Sequence, residues 1–235
     1  MSNPVVVAIH QPNFLPWLGY FDKLARSDVF VVLDNVQFPK TGGTWSNRVK
    51  LLVGGKPSWV TVPVERAFHG VREIRDIRID DDSRWRHKLL QTLRTSYARA
   101  KSFGSVFPLV ETLINTPTDS LVELNLAAIR AICDELGVDR AKLVLSSSLP
   151  ACGHRTELLT SIVRAVGGTA YLAGGGSREY QDDETFAAAG ISVLYQQFNH
   201  PVYVQDGTPA FVPGLSVVDA LMYCGVDGAR KLVQA

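Results

Sequence analysis

Short apolar runs at the start of the chain alternate with an apolar stripe of helical period. Residues 5–9 form a run rich in β-branched side chains that is too short for a helix, and they predict a strand buried on both faces. Apolar residues recur at helical spacing over 18–26, and residues 29–33 form a second buried run. A strand, a helix and a strand within about 30 residues make a βαβ unit, so the chain is predicted to begin a parallel sheet.

The middle of the chain shows two other patterns. Residues 48–53 and 58–64 are strand-like, and the glycine-containing segment 54–57 between them favours a turn. We therefore predict an antiparallel hairpin that adds strands to the sheet. From 83 to 137 the apolar residues recur with a helical period, which predicts a helical insertion.

The alternation of strand and helix patterns resumes after this insertion. Strands are predicted at 143–145, 170–172 and 192–195, and helices at 156–166, 180–189 and from 216 onward. The pattern predicts an α/β fold: a mostly parallel Rossmann-like sheet with helices on both faces, plus the antiparallel hairpin and the helical insertion. Because no linker, repeat or low-complexity tract divides the chain, we expect a single domain over residues 1–235.

The charges of the chain nearly cancel. There are 24 Lys and Arg against 23 Asp and Glu, a formal net charge of +1, which argues against a strongly basic nucleic-acid-binding protein. No apolar run reaches about 18 residues and residues 1–4 lack a signal-peptide pattern, so we predict a cytoplasmic protein without a membrane span. The three cysteines, Cys133, Cys152 and Cys224, lack metal-ligand spacing, and no metal site is predicted.

Candidate catalytic residues follow the predicted strands, because ligands bind beyond the carboxyl ends of the strands in an open parallel sheet. His10 directly follows the first predicted strand, Asp34 follows the second, and His200 lies shortly after the last. Imidazole and carboxylate groups can transfer protons near neutral pH, and we predict that these three residues are catalytic. The alternative is that they only satisfy backbone groups within the loops.

Other residues near the strand ends suit an anionic or sugar-like ligand. Arginine can form two hydrogen bonds with a carboxylate or phosphate, lysine supplies a point charge, and tryptophan offers an apolar platform. The glycine run at 174–176 lies between a strand and a helix, where backbone amides can approach a ligand closely. Alternatively, the tryptophan is a core residue, the cations are only solvated and the glycines form a flexible connection. The predicted substrate-binding residues are Gln11, Asn13, Gln37, Trp45, Asn47, Arg48, Lys50, Gly174, Ser177, Arg178 and Tyr180.

The stretch from Ile9 to Lys23, IHQPNFLPWLGYFDK, is distinctive. Further characteristic stretches are LDNVQF at 33–38, TVPV at 61–64, FNHPVY at 198–203 and LSVVDAL at 215–221. Together they resemble the WbqC-like proteins, and the likeness covers nearly the whole chain. This resemblance implies a bacterial biosynthetic enzyme, of a kind found among genes for O-antigen and other products, with a role in glycine transfer.

Three functions are compatible with these residues. The first is amide formation, in which a glycyl or other small aminoacyl group passes to an amine of a sugar or secondary metabolite. The second is nucleotidyl or phosphoryl transfer to a sugar phosphate. The beginning of the chain is similar to nucleotidylyltransferases, but residues 17–20 read WLGY where that superfamily has its HxGH motif. The third is a non-catalytic binding role in a biosynthetic complex.

Amide formation needs a base for the attacking amine and donors for the oxyanion. His10 or His200 is the predicted base, and Gln11, Asn13 and the amides of the glycine run are the predicted oxyanion donors. Arg48, Lys50 or Arg178 would bind the anionic part of the donor. The activated donor could be an adenylate made from ATP, a carrier-protein thioester or an aminoacyl-tRNA, so ATP is a candidate cofactor.

Overall fold

The computed structural model describes residues 3–81, 84–177 and 182–233. In these ranges the strands are β1 (Val6–His10), β2 (Val29–Val32), β3 (Arg48–Val53), β4 (Lys56–Thr61), β5 (Leu143–Leu145), β6 (Ala170–Ala173) and β7 (Ser192–Tyr195). The α-helices are α1 (Leu18–Ala25), α2 (Trp85–Tyr97), α3 (Phe103–Ile114), α4 (Leu121–Leu136), α5 (Thr156–Ala165), α6 (Asp183–Ala188) and α7 (Val217–Val233). The predicted α/β fold is confirmed, with bounds that mostly shift by one or two residues.

The central sheet has five strands, all parallel, in the order β5-β2-β1-β6-β7. The chain builds outward from β1 to β2 and β5, and it then crosses to the other side of β1 to add β6 and β7. The strand order therefore reverses between β1 and β6. Such a reversal leaves a crevice beyond the carboxyl ends of the two strands, where sheets of this kind bind ligands.

Successive side chains of β1 point to opposite faces of the sheet, and each face has its own core. Ala8 contributes to a large core with residues of α1, α4 and α7, whereas Val7 and Ile9 contribute to a smaller core with α5 and α6. Residues of β1 are therefore apolar up to its last position, as expected of a strand covered on both sides. Helices on both faces confirm the predicted layering.

The hairpin of β3 and β4 is a separate two-stranded sheet, so the prediction that it extends the main sheet is wrong. The predicted turn over 54–57 is also too long, since Lys56 and Pro57 already pair in the ladder. Gly54 and Gly55 form a two-residue turn with φ of 58° and 74°, the left-handed conformation that a tight hairpin requires. A Cβ on Gly55 would also clash with the carbonyl oxygen of Gly207.

The helical insertion comprises α2, α3 and α4, as predicted, although its first predicted residue, Ser83, lies outside the described ranges. Helix α4 begins after Ser120, whose side chain accepts a hydrogen bond from the backbone of Glu123, and ends at Gly137 in the left-handed conformation. Helix α7 packs against α1, α3 and α4 and thereby joins the insertion to the sheet. None of the helices within the described ranges is long and apolar enough to span a membrane.

Candidate functional site

A cavity of about 920 Å³ lies at the point where the strand order reverses. His10 and Gln11 at the end of β1 line one side, and Gly174 and Gly175 after β6 line the other. This is the crevice in which doubly wound sheets bind small molecules. The other lining residues are Ile9, Asn13, Trp17, Gly19, Lys23, Leu33, Trp45, Leu159, Tyr171, Gly176, Gln196, Phe198, His200 and Gly214.

His10 is the last residue of β1 and lines this cavity. Its Nδ1 lies 3.2 Å from the carbonyl oxygen of Gln11, and since a carbonyl can only accept, Nδ1 must carry the proton. Its ring also packs edge-on against Tyr20, with centroids 4.9 Å apart. Burial, helped by the charge of Lys23, lowers the pKa of His10 to about 3. His10 is therefore neutral at pH 7, and its Nε2 can only accept a hydrogen bond.

Lys23 extends from α1 into the cavity wall and is 3% exposed. Its Nζ donates a hydrogen bond to the carbonyl oxygen of Ile9 at 2.9 Å and lies 5.9 Å from the ring centroid of Tyr171. In the part of the chain that the structure describes, no carboxylate forms an ion pair with it. Burial lowers the pKa of Lys23 to about 8. A buried cation that no described carboxylate pairs with makes this part of the cavity a candidate site for an anion.

The carboxylate of Asp22, which precedes Lys23 in the sequence, is bonded to other side chains. Asp22 accepts a hydrogen bond from Gln196 Nε2 at 2.6 Å and pairs with Arg26 Nε at 2.7 Å. Gln196 also donates to the carbonyl oxygen of Gly19 at 2.7 Å, so its amide is fixed between α1 and the end of β7. The carboxylate of Asp22 therefore contacts Gln196 and Arg26 and does not form an ion pair with Lys23.

Asn13 adds an unpaired acceptor to the cavity wall. The residue is 2% exposed, and its Oδ1 has no hydrogen-bond partner among the described residues. Burying an amide oxygen without a donor costs about 1–3 kcal/mol, so a ligand N–H or O–H would be favoured there. The cavity wall thus contains a buried cation, Lys23, and a buried Asn13 whose amide oxygen no described donor satisfies.

The glycine run forms the opposite wall. Gly174 follows β6, and Gly175 begins a three-residue 3-10 helix that ends at Ser177. A Cβ on Gly175 would lie 2.9 Å from the carbonyl oxygen of Gln196, so no larger residue fits there without a shift of the backbone. Because glycine has no side chain, a ligand can approach the backbone of this wall closely.

His200 lies in an aromatic corner of the cavity. Its ring is 5.1 Å from that of Trp17 and 5.2 Å from that of Phe198. Its Nδ1 accepts a hydrogen bond from the backbone of Gly214 at 3.4 Å, and burial lowers its pKa. With Nδ1 as acceptor, the Nε2 of neutral His200 carries the proton and is a donor.

Several predicted site residues do not line the cavity. Asp34 is buried, and its carboxylate accepts hydrogen bonds from the hydroxyls of Ser146 and Ser147, at 2.9 and 2.6 Å, after β5. Asn47 is buried and fixes a turn by accepting from Thr44 N at 2.9 Å. The remaining members of this group are Gln37, which is exposed, and Arg48 and Lys50 on β3.

The predicted site residues that the structure does bring together line one cavity. They are His10, Gln11, Asn13, Trp45, Gly174 and His200. Arg178 and Tyr180 lie outside the described residues, as does the side chain of Ser177. The described residues contain no group of three metal-ligating side chains.

Sequence reasoning missed Lys23 and Gln196. The signal for Lys23 was a charged pair, Asp22 and Lys23, inside an otherwise apolar helix that follows a buried strand. The signal for Gln196 was its place directly after the last strand, the same rule that selected His10.

Taken together, the fold and the cavity define a doubly wound α/β protein with a cavity at the reversal of its strand order. A family model described as the WbqC-like protein family matches residues 11–231, and the chain belongs to that family. It is similar to a protein of Mycobacterium tuberculosis (strain ATCC 25618 / H37Rv) called "Uncharacterized protein Rv1507c", with 28% identity over 227 residues that cover 96% of each chain. No solved structure matches the chain.

Proposed function

We propose that this chain is a biosynthetic enzyme that forms an amide by transferring a small aminoacyl group, glycine being the first candidate, to an amine of a sugar or secondary metabolite. The observation that carries the proposal is Lys23, a buried cation at the cavity that pairs with no carboxylate of the described residues. It lies beside His10, a neutral imidazole. A cation that can stabilise negative charge and a nearby proton acceptor are the two requirements of acyl transfer to an amine.

His10 serves as the proton acceptor in this proposal. The amine nitrogen attacks the carbonyl carbon of the activated aminoacyl group, and the bond to the leaving group breaks as the amide forms. The proton lost by the nitrogen passes to Nε2 of His10, which can accept it because the proton of the neutral ring is on Nδ1, bonded to Gln11. The negative charge that develops on the tetrahedral intermediate beside Lys23 would raise the pKa of His10 and strengthen it as a base during the reaction.

Lys23 and the amide of Gln11 are suited to the negative charge that develops on the substrate. Lys23 uses one N–H on the carbonyl of Ile9, which leaves two donors for a ligand. Asn13 offers its unpaired Oδ1 to an N–H of the acceptor amine or of the aminoacyl group. His200, whose Nε2 is a donor, would bind an oxygen of the substrate rather than act as the base.

A second candidate is nucleotidyl or phosphoryl transfer to a sugar phosphate. The observation that favours it is the same combination of Lys23 and the glycine run, since both groups are common ligands of phosphate. In that case Lys23 would bind a phosphate oxygen and His10 would accept the proton of a sugar hydroxyl. The two candidates differ in the nucleophile, which is an amine in one and an oxygen in the other.

The first test is exchange of pyrophosphate into ATP in the presence of glycine and a panel of other amino acids. Amino-acid-dependent exchange would identify an enzyme that makes its own aminoacyl adenylate. Without exchange, glycyl thioesters of carrier proteins and glycyl-tRNA are supplied as donors with amino-sugar acceptors, and the amide product is measured by mass spectrometry.

His10→Ala and Lys23→Met are the variants that test the assigned residues. We expect each to lower the transfer rate about 100-fold or more, because each removes a group that acts at the reacting atoms. Lys56→Met, an exposed substitution at the far end of the hairpin, is the matched control. Unchanged turnover in the folded His10→Ala protein would contradict the assignment of the base.

A further inference from the structure

Two half-exposed tryptophans lie side by side at the edge of the cavity. Trp45 lines the cavity and Trp59 comes from β4; each is 42% exposed, and their ring centroids are 5.0 Å apart. Large aromatic side chains bury most of their surface in ordinary folding, so an adjacent exposed pair suggests a binding surface.

Two cations from β3 lie against the same tryptophan. The Arg48 guanidinium carbon is 4.4 Å from the ring centroid of Trp59, and Lys50 Nζ is 5.1 Å from it. The strand register explains this, because Lys50 pairs directly with Trp59 across the hairpin. We call Trp45, Trp59, Arg48 and Lys50 the tryptophan surface.

The cations of the tryptophan surface lack anionic partners in the described ranges. Neither Arg48 nor Lys50 forms an ion pair there. Moreover, Nε of Arg48 is buried without a hydrogen-bond acceptor. Because no described carboxylate pairs with Arg48 or Lys50, an anionic ligand could bind these cations without displacing a partner.

The backbone that carries Trp45 is rigidly held. The carbonyl of Trp45 accepts a hydrogen bond from Phe14 N at 2.8 Å, and the carbonyl of Ser46 accepts from Asn125 Nδ2 at 2.7 Å. Asn47 closes the turn through Thr44 N and the carbonyl of Val62. The ring is therefore presented to ligands from a preorganised turn, which lowers the entropic cost of binding.

We propose that the tryptophan surface binds a mononucleotide, with the base stacked on Trp45 and the phosphate held by Arg48 and Lys50. An aromatic face beside unpaired cations matches the two parts of a nucleotide, a flat base and an anion. The inference rests on the proposed function, because the nucleotide would be the part of the activated donor that this surface binds. The aminoacyl group of the same donor would enter the cavity. The net charge of +1 favours a mononucleotide over a longer polyanion.

The test is calorimetric titration of the whole chain with AMP, adenosine and ribose 5-phosphate. We expect AMP to bind about tenfold or more tightly than either fragment, since it alone uses both the stacking and the ionic contacts. Trp45→Leu and Arg48→Met should each weaken AMP binding by about tenfold, and Trp45→Phe should retain it because the aromatic face is kept. Lys56→Met on the same hairpin should bind AMP as the wild type does.

Circular dichroism establishes that each variant is folded, and the loss expected in Arg48→Met keeps the test valid if Trp45→Leu does not fold. Binding of ribose 5-phosphate as tight as that of AMP, or no AMP binding at all, would overturn the nucleotide assignment. AMP binding that is lost in Lys23→Met but kept in Trp45→Leu and Arg48→Met would also overturn it, and would leave amide formation in the cavity untouched. Failure of aminoacyl transfer with AMP binding intact would instead contradict the proposed function alone.

Discussion

Lys23 is buried and His10 is half-buried where they line the cavity, and burial lowers the pKa of both residues. His10 is neutral at pH 7 for this reason, whereas Lys23 remains mostly charged with a pKa of about 8. The neutral His10 can accept a proton, whereas the charged Lys23 beside it can stabilise negative charge. Their environments, rather than their residue types, decide which one accepts a proton.

The low pKa of His10 predicts an acid-sensitive contribution to stability. Between the ordinary pKa of 6.5 and about 3, the unfolded chain binds a proton at His10 that the folded chain does not. Folding therefore loses stability as the pH falls through this range, by about 1 kcal/mol per pH unit from this group. We expect urea unfolding at a series of pH values to show that the free energy of unfolding falls more steeply with decreasing pH in the wild type than in His10→Gln. Parallel pH profiles of the two proteins would contradict a neutral His10 with a lowered pKa.

At the residue scale, the rule that ligands bind at strand ends selected His10, Gln11 and Asn13, which do line the cavity. The same rule selected Asp34, whose carboxylate is bound by two serines after the neighbouring strand. Sequence alone cannot separate these cases, because the partners of Asp34 are more than 100 residues away in the chain. Lys23 was missed because the strand-end rule does not apply to a helix, and the only signal was its charge within an otherwise apolar segment.

The glycine run is the element whose shape depends most clearly on residue size. Gly175 lies so close to the carbonyl of Gln196 that a Cβ would be 2.9 Å away, whereas a Cβ on Gly174 would meet no atom within 4 Å. We expect Gly175→Ala to lower the free energy of unfolding by about 1 kcal/mol or more, because backbone must move. Gly174→Ala should change it by less than about 0.5 kcal/mol.

Urea unfolding of the two glycine variants provides the measurement. Equal stability of Gly174→Ala and Gly175→Ala would show that the wall after β6 does not depend on the close approach to Gln196. In the transfer assay, Gly175→Ala should also be the slower variant, since the displaced wall is part of the cavity.

At the element scale, most of the helices and strands followed from apolar periodicity, since each buries a defined face. The hairpin was predicted as a pair of strands, but its register and its separation from the sheet were not. Register depends on the two-residue turn at Gly54 and Gly55 and on packing of that turn against Gly207, about 150 residues away. Such contacts leave no local pattern in the sequence.

At the scale of the whole molecule, one core joins the sheet, the hairpin and the helical insertion. Ala8 of β1, Val49 of β3, Leu93 of α2 and Leu221 of α7 belong to the same cluster of buried side chains. Because the insertion shares its buried surface with the rest of the chain, we propose that residues 1–235 form a single domain. The order of the strands in the sheet determines where the cavity lies. This order, in contrast, could not be read from the sequence.

A shared core predicts cooperative unfolding. Trp17, Trp45, Trp59 and Trp85 lie in different parts of the fold, so tryptophan fluorescence reports on several parts of the chain. We expect the urea transitions followed by fluorescence and by far-ultraviolet circular dichroism to coincide, as for a single cooperative unit. Two separated transitions would indicate that the helical insertion over 83–137 is an independent domain.

The central claim is that Lys23 binds the anionic part of a substrate in the cavity. The most direct measurement is an NMR titration of the Lys23 side chain, with ¹³C-labelled lysine and the Lys23→Met protein to assign its signal. We expect a pKa of about 8 in the free protein, against 10.5 for an ordinary lysine. Adding orthophosphate, glycine or AMP should raise that pKa for at least one anion, because a bound negative charge favours the ammonium. A pKa near 10.5, or a signal that responds to none of the three, would contradict the account.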